Sequence, residues 1–187
     1  MRITKQRAAE NRTRVVEQAA RLFREKGFDG VGVAELMAAA GLTHGGFYNH
    51  FGSKTQVEAA ACAHVFDKSV ARIEAVAETP AAERPRAYDA YRERYLSAEA
   101  RDASGAACPM VAFAGDVSRQ SEAVRTAYAQ GLAAYLQAFA KAGGASRGEA
   151  IRAFAELVGA LTLARSISAC DPALSDEILA AARGTGR

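Results

Sequence analysis

No stretch of this sequence alternates apolar and polar residues as a half-buried strand would, and β-branched runs are scarce. With no tryptophan, only four prolines and abundant alanine, the composition favours helix nearly throughout and argues against a sheet protein. The three cysteines, Cys62, Cys108 and Cys170, are odd in number and far apart, with neither a CxxC pair nor metal-ligand spacing. That excludes a disulfide scaffold and a cysteine-based metal centre, and suggests a reducing compartment. The opening segment MRITKQRAAENRTR lacks the apolar core of a signal peptide, and no apolar run reaches the length of about 18 residues that spans a bilayer. A cytoplasmic protein without a membrane partner is expected. No Ser/His/Asp grouping, carboxylate pair at helix-compatible spacing or phosphate-cradling loop emerges, and His64 stands alone, so no enzyme, metal or cofactor is expected.

Half of the 187 residues are hydrophobic, enough for a sizeable core in one or two domains. The net charge of +3 is unevenly spread. Residues 1–55 carry nine Lys/Arg against five Asp/Glu, so the basic excess is amino-terminal, as a polyanion-binding end requires. Residues 1–6 read as a basic arm holding Arg2 and Lys5, able to lie along a phosphate backbone. Helical periodicity follows over about 7–26, with Val15, Val16, Ala19, Ala20, Leu22 and Phe23 on one stripe, and again over about 33–40.

The segment from Gly41 to Lys54, GLTHGGFYNHFGSK, is the most informative. Gly41 suits the left-handed residue that ends a helix, Thr43 can cap the next one, and Phe47 and Phe51 share a face of a short helix over 44–51. His44, Tyr48, Asn49 and His50 spread over its other faces. Two short helices joined by a glycine turn form a helix-turn-helix, whose second helix can enter a DNA major groove. Between Gly27 and Gly52 there is no Lys or Arg at all, so charge must come from the flanks.

Ser53 caps a long helix starting near 54 and running to Glu78, followed by Pro80 and Pro85. Further helices are expected over 86–100, 110–117, 121–142, 147–169 and 173–183. The expected architecture is all-α: an amino-terminal three-helix domain over 1–55 and a helical domain over 56–187, joined by the long helix. Tyr88, Tyr91 and Tyr95 make an aromatic stripe suited to a pocket, with Met110, Phe113, Tyr128 and Phe139 as further candidates. The helix over 147–169 is apolar on two faces, one through Ile151, Phe154, Val158 and Leu161, the other through Leu157, Ala160, Ala164 and Ile167. The second face, completed by Leu174, Ile178 and Leu179, reads as a homodimer surface.

From Arg7 to Val57 the chain resembles the amino-terminal domain of TetR/AcrR-family transcriptional regulators, carried by FREKGFDG and VAELMAAAGLTHGGFYNHFGSK. The resemblance implies a homodimer on double-stranded DNA, with Thr43, His44, Gly45, Tyr48, Asn49 and His50 facing it and Lys54 adding a phosphate contact. His44 and Asn49 are the candidates for reading base edges. Gly32 stands where the family usually has a hydroxyl residue. The resemblance further implies a carboxy-terminal effector-binding and dimerisation domain, hence a repressor released by a small apolar or aromatic effector. Cys108, before Pro109, resembles a segment of electrophile- and oxidant-responsive members, which leaves a thiol switch open. A helical interaction module without DNA binding is the remaining alternative.

Overall fold

The computed structural model describes residues 5–184. Nine α-helices form among them: α1 (Lys5–Lys26), α2 (Val33–Ala39), α3 (Lys54–Ala77), α4 (Arg84–Tyr95), α5 (Ala98–Asp102), α6 (Pro109–Phe113), α7 (Glu122–Gly143), α8 (Arg147–Ile167) and α9 (Pro172–Gly184). Single 3-10 segments lie at His44–Asn49, Ser104–Ala106 and Val117–Arg119. No strand occurs among the described residues.

The head consists of α1, α2 and the 3-10 segment. Helix α1 buries Val15, Ala19, Ala20, Leu22 and Phe23, the stripe read from the sequence, against α2 and α3. Helix α2 ends in a Schellman motif: Gly41 sits at φ 69°, its N–H reaches Ala38 O at 3.0 Å, and the Leu42 N–H reaches Met37 O at 2.9 Å. That turn redirects the chain into the segment carrying the candidate DNA-facing side chains.

Four boundaries differ from expectation, one of them that of the helix expected over 110–117, which ends at Phe113. Helix α1 already includes Lys5, so Lys5 projects from a helix instead of a basic arm, while Arg2 lies outside the described residues. The expected helix over 44–51 is a six-residue 3-10 segment, because two successive glycines, Gly45 and Gly46, weaken α-helix formation and short pieces tolerate the tighter winding. The expected helix over 86–100 breaks after Tyr95, where Ser97 caps the new helix α5 by accepting from the Ala100 N–H.

In the body, α7 packs along most of α3. The close approach is set by Gly131: a Cβ there would lie 2.2 Å from the Phe66 ring. Ser53 caps α3 and a full capping box of Ser146 and Glu149 starts α8. Phe154, Leu157, Leu161 and Ala164 of α8 face inward, where Phe154 meets Tyr95, Tyr135 and Phe139. Head and body share one continuous core, since the Phe28 ring lies 5.3 Å from Phe23 of α1 and 4.7 Å from Phe113 of α6. Gly131→Ala is expected to push α3 and α7 apart and cost about 1–3 kcal/mol, as overpacking does, measurable as a lower midpoint in urea; an unchanged midpoint contradicts this packing.

Candidate nucleic-acid interface

Phe47 and Phe51 are buried, their rings stacked at 5.8 Å, and they fix the short segment to the head's core. With those two side chains inward, Thr43, His44, Gly45 and Asn49 are exposed and His50 is half-buried. Tyr48 is 74% exposed, an unusual state for so large a ring, and its edge-on contact with Phe47 at 5.3 Å holds its base. A Cβ at Gly45 would meet nothing within 4 Å, so the backbone there is open to close approach. Gly46 is instead half-buried beside Thr43 and Met37. Thr43 caps nothing with its side chain; its backbone carbonyl accepts from the Gly46 N–H.

Two arginines of α1 hold this surface from behind, a role that sequence reasoning missed. Arg12 donates to the His50 carbonyl and places its guanidinium 4.2 Å from the centre of the Phe51 ring. Arg14 reaches the Ala40 carbonyl at 3.5 Å. Each cation thus sits at the carbonyl end of a short helical segment, where the backbone dipole favours it. The available signal was the placement of Arg12 and Arg14 beside the apolar stripe of α1.

Lys54 has an intramolecular role that the sequence alone did not indicate. Its Nζ donates to the Phe28 carbonyl at 2.8 Å and lies 3.2 Å from the carboxylate of the buried Glu58, so it ties the start of α3 to the loop after α1. The ammonium thus has two partners within the protein while the side chain stays partly exposed. Lys54→Ala is therefore expected to destabilise the fold by about 1.5–3 kcal/mol, the range for a hydrogen bond to a charged group. Chemical denaturation checks this, and a loss confined to DNA affinity contradicts it.

The body holds a cleft of about 260 Å³ lined in part by Tyr91, Tyr95, Tyr135, Cys108 and Leu161. The Tyr91 and Tyr135 hydroxyls share a 2.6 Å hydrogen bond, and the Tyr95 hydroxyl donates to Cys108 Sγ at 3.0 Å. Burial pushes all three phenols up, so they stay neutral donors and acceptors. Four expected pocket residues lie elsewhere. Tyr88 packs on Phe139 and Tyr128 on Phe66, while Met110 and Phe113 belong to the buried core. Phe139 is buried between Tyr135 and Phe154. Tyr135, which the sequence reading passed over, shares the Phe139 face of α7 at a spacing of four.

Desolvation raises the Cys108 thiol above its ordinary value, with the Tyr95 hydrogen bond opposing, and Cys62 is pushed up to about 12 by burial. Neither is an activated thiolate at neutral pH. Cys170 is exposed. Iodoacetamide at pH 7.5 is expected to label Cys170 at least about tenfold faster than Cys108 in the native protein, since the thiolate is the nucleophile; mass spectrometry of digests reads the order, and Cys108 labelling first contradicts it.

The expected dimer surface also needs correction. Leu157, Ala164 and Leu179 are buried within the single chain, and Ala160, Ile167 and Ile178 are half-buried, leaving Leu174 exposed. The large apolar side chain most exposed on α8 is Leu163, at 59%. Among the described residues no three His, Cys, Asp or Glu side chains form a group able to hold a metal, and no helix is long and apolar enough to cross a membrane.

Residues 15–61 match the family described as bacterial regulatory proteins, tetR family. Over 77 residues the chain is 30% identical to an uncharacterised HTH-type transcriptional regulator, YerO, of Bacillus subtilis, covering 41% of this chain and 27% of that protein. Over 56 residues it is 39% identical to the HTH-type transcriptional regulator AcrR of Shigella flexneri, covering 30% and 26%. The matches therefore span about a quarter of those relatives' length. The crystal structure of reduced E. coli NemR superposes with a TM-score of 0.78 at 21% identity, covering 94% of this chain and 95% of that one. A TetR-family regulator from Cytophaga hutchinsonii gives 0.77 at 18% identity, covering 98% and 95%. These structures share the fold over both head and body.

Proposed function

We propose that this chain, which belongs to the TetR family of bacterial regulatory proteins, is a homodimeric cytoplasmic transcriptional repressor. It binds a pseudo-palindromic operator through its head and is released when a small effector enters the cleft in its body. The observation that carries the DNA reading is the exposed row of His44, Tyr48 and Asn49 on a segment pinned by buried Phe47 and Phe51.

In this reading His44 and Asn49 read base edges, an amide being able to bond an adenine edge twice. Thr43, Tyr48 and His50 contact the backbone, and the exposed N–H groups around Gly45 allow a phosphate to approach. Non-specific attraction falls to cations outside the segment, including Lys5 on α1 and Arg2. The outer face of α8 with Leu163, beside Leu174 of α9, supports pairing of two copies about a two-fold axis. Catalysis has no place in it.

Release can act through residues 97–108, which line one side of the cleft. On one side Arg165 of α8 donates to the Arg101 and Ala100 carbonyls at 2.8 Å, and Arg101 pairs with Asp176 of α9 at 2.6 Å. On the other, Arg24 of α1 donates to the Ala107 carbonyl at 3.3 Å, and Gly105 lies against Arg21 and Glu25. The same wall thus touches the cleft, the pairing helices and the head. An effector that favours one placement of this wall shifts the head with it. A switch through chemical modification of Cys108 is the weaker reading, because the thiol is enclosed and hydrogen-bonded to Tyr95.

Electrophoretic shift on DNA flanking its own gene tests the reading. Asn49→Ala is expected to weaken cognate binding by about 1–3 kcal/mol, as loss of a base contact does, and to leave scrambled DNA unaffected. Tyr48→Ala is expected to weaken both. Equal losses for the two variants on both DNAs contradict this division of labour.

A further inference from the structure

The cleft's charges say more about its ligand than its aromatic rings do. Arg72 of α3 and Arg94 of α4 both line it. Neither has a carboxylate partner among the described residues: Arg72 Nε donates to the Lys68 carbonyl, and the Arg94 guanidinium sits 5.9 Å from the centre of the Tyr91 ring. Beneath the wall lies a third cation, Arg24, whose own protonation is disfavoured by burial and by the nearby Arg72. Glu99, the acid in the lining, is already engaged: its carboxylate accepts from Ser97 and is held below the usual carboxylate range by that bond. The lining therefore has an excess of positive charge beside neutral phenol rings. A cationic ligand meets repulsion there, and a neutral one gains nothing from the guanidinium charges. An anion completes the set, since a guanidinium binds a carboxylate with strong, oriented hydrogen bonds.

Building on the effector-cleft reading, we propose that the ligand is a small aromatic acid. Its ring packs among Tyr91, Tyr95 and Leu161, and its carboxylate is held by Arg72 and Arg94. A volume of about 260 Å³ has room for an acid of one or two rings.

The test uses the full chain and three matched probes, 2-naphthoate, 2-naphthamide and 2-naphthylmethylamine, titrated calorimetrically at constant ionic strength. The acid is expected to bind at least about tenfold more tightly than the amide, and the amine most weakly, as charge complementarity dictates. Arg72→Gln and Arg94→Gln change exposed side chains, so folding is retained; each should bring acid and amide to within about threefold while leaving amide affinity unchanged. Leu161→Trp, which fills the cleft, should abolish binding of both. Amide or amine binding as tightly as the acid overturns the ligand class yet leaves the cleft as the effector site. Binding that survives Leu161→Trp places the ligand elsewhere and overturns both, and absence of binding by all three probes overturns the proposal.

Discussion

Phe28 is the point on which the two halves of this molecule depend. Its ring packs at a tilt between Phe23 of the head and Phe113 of the body. Its N–H donates to Asp116 at 3.3 Å, and its carbonyl accepts from Lys54 at the start of α3. One residue thus joins α1, the long helix and the segment after α6 by ring, donor and acceptor together. Because interiors are close-packed, a displacement of any one of these elements must be accommodated by the others.

That joint also explains how charge is distributed. A surface that meets DNA is expected to be rich in cations, yet three cations of the head are engaged by backbone carbonyls of the protein itself. Arg12 and Arg14 secure the carbonyl ends of the His44–Asn49 segment and α2, and Lys54 secures Phe28. The exposed segment offers an amide, imidazoles, a phenol and a backbone open to close approach at Gly45. The arrangement trades electrostatic attraction for rigidity: side chains that read bases discriminate best when their backbone does not move.

Much of the head was legible in the sequence because its signals are local. Gly41 ends α2 as a left-handed residue, Phe47 and Phe51 share the buried face, and Tyr48 and Asn49 point outward, all consequences of spacing and of what glycine permits. What escaped were contacts made at a distance. Lys54 and Phe28 are 26 residues apart and nothing local pairs them. Tyr135 joins the cleft only because α7 crosses α4. Helix α8 was ambiguous for another reason: it is apolar on two faces, and periodicity could not say which one the chain itself covers. The structure covers Leu157 and Ala164 and leaves Leu163 outside.

If the proposed function holds, the exposed face of the His44–Asn49 segment reads duplex DNA as one of a symmetric pair. Hydroxyl-radical footprinting on the DNA flanking the gene measures this most directly. Two protected stretches are expected on one face of the duplex, related by symmetry and centred about one helical turn or slightly more apart. Protection of a single stretch, or uniform protection without sequence preference, would contradict it.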